Sequence, residues 1–138
     1  MTSIILISHG KLATSMESSI ELIMEIRENV YCMELGKDES LKDFKERLEK
    51  LVRRVTGQTE EIIIVSDFPL STPFNAAAML MEKYNIYHLT GMNMPMLLVL
   101  LHKENLELDP EYLCKMAVKK ARDQTLFLND LLKGGEKL

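Results

Sequence analysis

Ile4-Ile5-Leu6-Ile7-Ser8-His9-Gly10 places four consecutive aliphatic residues before a serine, a histidine and a glycine. A strand with one wet face alternates apolar and polar residues. One that is apolar without a break is covered on both faces, as in a parallel sheet sandwiched between helices. Ile62-Ile63-Ile64-Val65-Ser66-Asp67 repeats the pattern. Val30–Leu35 and Ile86–Thr90 are two further strand-like runs, and the mixed composition of the first fits a sheet edge.

Helical periodicity fills the intervals. Leu12, Met16, Ile20 and Ile23 recur at spacings of three and four, with Glu17, Glu21, Glu25 and Arg27 on other faces. Leu41, Phe44, Leu48, Leu51 and Val55 do the same among nine charged residues from Lys42 to Arg54, which read as a solvated helix face. Thr72-Pro73 has the form of an N-cap followed by a proline at the first helical position, and Asp109-Pro110 repeats it. The run from Pro95 to about Lys103 is apolar, as a buried helix would be. The β-α-β-α-β-α-β-α-α alternation predicts an α/β fold: an open, mostly parallel sheet with helices on both faces. We take the strand order as 2-1-3-4. Thr125-Leu126-Phe127-Leu128 is β-prone and is read as a candidate fifth strand; the alternative continues the preceding helix, with Leu126, Leu128 and Leu132 on its buried face.

The 138 residues suit one domain, 1–138. A composition of 46% hydrophobic and 28% charged residues excludes disordered and collagen-like classes. Seventeen Lys and Arg against 21 Asp and Glu, a net charge of -4, argue against nucleic acid as a partner. The apolar start is too short for a membrane span and has no basic leader, so a cytoplasmic protein with no membrane insertion is expected. Cys32 and Cys114 fall in no metal-spaced or redox-spaced motif and read as buried free thiols. The ten methionines read as core fillers, with no cofactor implied. His9, His88 and His102 lack spaced cysteine or carboxylate partners, so no metal site is expected; His88 and His102 read as structural or surface residues.

Ligands of an open parallel sheet bind outside the carboxyl ends of the strands, where the strand order reverses. In a 2-1-3-4 order the first and third strands flank that point, which sets His9 beside Asp67. A carboxylate accepting a hydrogen bond from one imidazole nitrogen fixes the tautomer and leaves the other nitrogen as nucleophile or base. Gly10 permits close backbone approach, and the helix opening at Thr72-Pro73 offers free N–H groups to a phosphoryl oxyanion.

Ser8-His9-Gly10 resembles the active-site motif of the enzyme IIA component of the mannose-type bacterial phosphotransferase system. The stretch Asp67-Phe68-Pro69-Leu70-Ser71-Thr72-Pro73-Phe74-Asn75-Ala76-Ala77 is similar to that family's Asp-x-x-Gly-Gly-Ser-Pro-x-Asn-x-Ala loop, and Gly91-Met92-Asn93-Met94-Pro95-Met96 to its Gly-x-Asn-x-Pro-Met stretch. The matches fall in family order across nearly the whole chain. The resemblance implies a phosphocarrier: His9 accepts a phosphoryl group from phosphorylated HPr and passes it to a IIB component, through which the protein associates with membrane sugar permease components. It implies that Asp67 orients His9, that Gly10, Ser71 and Thr72 line the phosphoryl group, and that homodimers form by exchange of the antiparallel C-terminal strand. The family's Gly-Gly is Leu70-Ser71 here. Either the loop handles the phosphoryl group or its IIB partner differently, or Leu70 keeps a negative φ and is simply accommodated.

Rival classes are a phosphohistidine phosphatase, a non-catalytic regulator of the same fold, and the phosphocarrier subunit of a dihydroxyacetone kinase. The first expects Arg before the histidine, where Ser8 stands, and the arginines, Arg27 included, read as helical and remote from strand ends. The intact His9 and Asp67 disfavour the second. The Thr72-Pro73-Phe74-Asn75 run fits the sugar-transport branch better than the third.

Overall fold

The computed structural model describes residues 1–58 and 61–134. Four strands, β1 (Thr2–His9), β2 (Val30–Leu35), β3 (Glu61–Ser66) and β4 (Ile86–Thr90), form one sheet in the order β2-β1-β3-β4. Every pairing is parallel, with Ile4 opposite Val30 and Ile63, and Ser66 opposite Thr90. The helices are α1 (Leu12–Glu21), α2 (Leu41–Thr56), α3 (Thr72–Leu80), α4 (Met94–Leu101), α5 (Pro110–Asp123) and α6 (Leu128–Lys133), with a 3-10 turn at Lys103–Asn105.

The unbroken apolar runs have the expected cause. Ile4, Leu6, Ile63, Val65 and Leu89 face α1, α4 and α5, meeting Ile20, Leu97, Leu100, Leu113 and Ala117. Their sequence neighbours Ile5, Ile7, Ile62, Ile64 and Ile86 face α2 and α3, meeting Phe44, Leu48, Val52, Ala77 and Leu80. Successive strand side chains point to opposite faces, and here both faces are core. Each aliphatic side chain so buried stabilises the fold by about 1.5–3 kcal/mol relative to exposure. Among the described residues no helix is long and apolar enough to cross a membrane.

Departures occur at element ends. Helix α1 stops at Glu21, so Ile23, Glu25 and Arg27 are not helical, and Ile23 is exposed. The chain leaves the helix to bridge Ile26 to His102 and to donate the Arg27 N–H to the Leu101 carbonyl. Arg27 is thereby buried in a loop below the sheet, its guanidinium on the Thr2 carbonyl. Helix α3 is capped by Ser71 rather than Thr72, which is the first helical residue. Among the described residues Thr125–Phe127 pair with no strand, and Leu128 opens α6 instead of extending a strand or α5. Leu126, Phe127, Leu128 and Leu132 are all exposed, so the buried helical face expected as the alternative is also absent. Cys32 and Cys114 are free and half-buried, and burial pushes both thiols up to about 12.

Candidate active site

The sheet order sets the carboxyl ends of β1 and β3 side by side, and the loops that follow them build the site. After β1, Gly10 turns the chain at φ +51° and ties its N–H to the Leu35 carbonyl at 3.0 Å. No atom would touch a Cβ there, so the requirement for glycine is the left-handed turn itself. Ser8 is buried and its Oγ accepts the Ala13 N–H at 2.9 Å, capping α1 from below. His9 is thus held on rigid backbone at the rim of the sheet.

After β3, Asp67 is anchored from behind: its carbonyl accepts the Met92 N–H at 3.1 Å. Gly91 makes that second turn at φ +83°. Asn93 then caps α4, accepting the Met96 N–H at 3.0 Å and donating to the Gly91 carbonyl at 3.3 Å. Asn75 likewise donates to the Leu70 carbonyl at 3.4 Å. These asparagines shape loops.

The two site residues meet as their strand positions require. His9 Nδ1 lies 2.7 Å from Asp67 Oδ2, and the His9 backbone N–H donates to the same oxygen at 2.9 Å. Asp67 Oδ1 accepts the Phe68 N–H at 3.0 Å and the Ser71 hydroxyl at 2.9 Å. The Asp67 side chain is 5% exposed and that of His9 50%. Burial pushes the Asp67 carboxyl up, but the bonds from the His9 backbone and ring, Ser71 and Phe68 outweigh it and hold the group below its ordinary value. An ionised carboxylate only accepts, so Nδ1 carries the proton. Nε2 has no protein partner among the described residues. The arrangement leaves a nucleophilic lone pair on an open ring, with a buried negative charge behind it.

Two features escaped the sequence reading. Phe68 stacks on the His9 ring, with centroids 5.5 Å apart and planes at 17°, while remaining 53% exposed. Its position directly after Asp67 was the available signal. Leu70 has φ +68°, which rules out the alternative of a negative φ: it takes the left-handed conformation that glycine adopts freely. It is also 78% exposed. Its turn delivers Ser71 to the head of α3, where Ser71 Oγ accepts the Phe74 N–H at 3.2 Å. The Thr72 hydroxyl beside it has no protein partner among the described residues.

His88 and His102 serve structure, as expected. His88 Nε2 lies 2.8 Å from Ser66 Oγ, which donates onward to Thr90 Oγ1 at 2.9 Å, and Phe74 packs on the ring at 5.0 Å. Burial pushes His88 down to about 4. His102 Nδ1 accepts the Glu104 N–H at the 3-10 turn. Among the described residues no three His, Cys, Asp or Glu side chains converge to hold a metal ion.

The fold is shared by several solved structures. The chain is similar to phosphotransferase system component EIIA from Streptococcus agalactiae: 24% identity, 94% of this chain and 99% of that one covered, TM-score 0.81. A putative phosphoenolpyruvate-dependent sugar phosphotransferase system permease from Klebsiella pneumoniae is 22% identical over 95% of this chain and 93% of its own, TM-score 0.80. The mannose/sorbose specific IIA subunit from Enterococcus faecalis is 18% identical over 91% and 93%, TM-score 0.76. No curated protein matches the sequence. The model of the family described as PTS system fructose IIA component, EIIA-man, matches residues 3–112, a span that contains both site loops. The chain therefore belongs to the EIIA-man family of sugar phosphotransferase system IIA components.

Proposed function

We propose that this chain is a phosphocarrier in which His9 Nε2 accepts a phosphoryl group from phosphorylated HPr and passes it to a IIB component. The observation that carries the reading is the 2.7 Å contact between His9 Nδ1 and the buried Asp67, with the ring half exposed. In the accepting step the Nε2 lone pair attacks phosphorus in line. The new N–P bond forms as the donor's N–P bond breaks, and the donor imidazole recovers the electron pair. The Nδ1 proton stays in place. Phosphorylated His9 then carries a ring cation, which the Asp67 carboxylate stabilises at hydrogen-bond distance. The Thr72 hydroxyl and N–H and the open backbone at Gly10 serve the phosphoryl oxygens, while the Ser71 hydroxyl proton is already committed to Asp67. Such a transfer asks for positioning and charge stabilisation more than for covalent help. Incubation with phosphoenolpyruvate, enzyme I and HPr tests this: intact mass should show one added phosphoryl group, absent from His9→Gln. A His9→Gln protein that labels like the parent refutes the reading.

The same reading places the protein in the cytoplasm, meeting the membrane only through its IIB partner, and makes it a homodimer. The β4 edge supports the dimer. A groove of about 790 Å³ lies between β4 and α5, lined by Tyr87, Leu89, Cys114 and Val118 among others, while Leu126, Phe127 and Leu128 stand exposed. An open strand edge and an unpartnered apolar tail are liabilities that exchange between two copies removes.

A further inference from the structure

We propose that Ser71 is a positioning residue for the transfer, a clamp that fixes the Asp67 carboxylate so that one oxygen faces His9. This rests on the phosphocarrier reading for its catalytic meaning, but its geometry stands independently. The Ser71 hydroxyl donates to Asp67 Oδ1 at 2.9 Å and accepts the Phe74 N–H at 3.2 Å, so one side chain both starts α3 and restrains Asp67. Ser71 is 5% exposed, which keeps water from substituting for the bond. With Oδ1 held by Ser71 and the Phe68 N–H, Oδ2 is left to take both donors of His9.

A glycine at position 71 would have no hydroxyl to offer, so the clamp depends on the serine there. Leu70 makes it reachable: its φ of +68° swings the backbone so that Ser71 falls at the cap. A hydroxyl donating to a carboxylate is a charge-assisted bond, and it favours the ionised form that His9 needs as an acceptor. Asp67 is faced by His9 from β1, by Ser71 at the head of α3, and by the Met92 N–H behind its carbonyl. Of these, His9 and Asp67 itself are the titratable groups.

The test follows the Asp67 carboxyl carbon and the His9 ring nitrogens by NMR across pH in the unphosphorylated full chain, in Ser71→Gly and Ser71→Ala. Glycine is tolerated at a helix cap nearly as well as serine, whereas alanine is not. A role confined to capping would therefore leave Ser71→Gly like the parent. The clamp instead moves the Asp67 titration up in both variants by a similar amount, about one pH unit, or tenfold in ionisation. The acid limb of phosphoryl transfer moves with it. An Asp67 titration in Ser71→Gly that overlays the parent's overturns the proposal. The NMR readout needs no donor protein: a shifted titration in a protein that HPr cannot label supports the clamp while refuting the phosphocarrier.

Discussion

Asp67 Oδ2 accepts two hydrogen bonds from one residue, the backbone N–H of His9 at 2.9 Å and its ring Nδ1 at 2.7 Å. The first locks the carboxylate to the end of β1 and the second locks the ring to the carboxylate. His9 is thereby fixed in tautomer and direction without being buried, as the proposed transfer requires.

Asp67→Asn keeps the shape of the side chain but removes its charge and replaces one oxygen, which accepts two bonds, with an amide nitrogen that accepts none. A hydrogen bond to a charged partner contributes about 1.5–3 kcal/mol, and each 1.36 kcal/mol of barrier is tenfold in rate. Transfer to His9 should slow by about ten- to a hundredfold, measured by rapid-quench phosphorylation, and the domain should also lose stability because two of the donors facing the carboxylate go unpaired. A variant that transfers at the parental rate would show that Asp67 does not serve the chemistry.

The depressed Asp67 carboxyl also sets an acid limit. Its folded value lies below the ordinary 3.8, so its stabilising contribution is complete above that pH and is lost as pH falls through the depressed value. Asp67→Asn should flatten that part of the acid-unfolding curve, below pH 3.8. Equal slopes in parent and variant would contradict it.

His88 acts in a different window. Its folded value is pushed down to about 4 from 6.5 by burial, so the unfolded chain takes up its proton first as pH falls. Stability should be full above 6.5 and decline toward 4, by up to about 3 kcal/mol. His88→Gln, which can keep a bond to Ser66 Oγ, should remove this slope in urea titrations. A slope that survives the substitution must come from elsewhere.

The strand cores and most helix starts were legible because period and capping chemistry are local. Four apolar residues before Ser8-His9 and before Ser66-Asp67 identify doubly covered strands wherever they occur. Once the order β2-β1-β3-β4 holds, the meeting of His9 and Asp67 follows. The misreadings lie where tertiary contacts decide. Ile23 continues the α1 period, yet the chain departs at Leu22 because Ile26 and Arg27 are drawn to His102 and Leu101. Thr72-Pro73 has the form of a cap and a first helical residue, but Leu70 in the left-handed region moves the cap to Ser71. Nothing local announces a leucine in that conformation. The stacking of Phe68 on His9 depends on the same loop.

Leu70 itself gives a stability prediction. A non-glycine residue in the left-handed region costs about 1–2 kcal/mol, and glycine's looser unfolded state returns about 0.4–1 kcal/mol of that. Leu70→Gly should stabilise the protein by about 0.5–1 kcal/mol in denaturant titration, and Leu70→Val, β-branched, should destabilise it. If Leu70→Gly lowers stability, the left-handed turn is not the strained element.

Assembly is tested by ending the chain before Asp123. Removing Leu126, Phe127 and Leu128 should abolish the proposed dimer, giving a monomer or an insoluble protein in light scattering. A truncated chain that stays a soluble dimer excludes exchange of this segment.

In the proposed function His9 carries the phosphoryl group on Nε2 while Nδ1 keeps its proton against Asp67. Nitrogen-15 NMR of the phosphorylated, histidine-labelled protein addresses both halves at once, through coupling to phosphorus and through the protonated-nitrogen shift. Phosphorus coupling is expected at His9 Nε2, with a proton on His9 Nδ1. Coupling at His9 Nδ1, or at His88 or His102, would contradict that assignment.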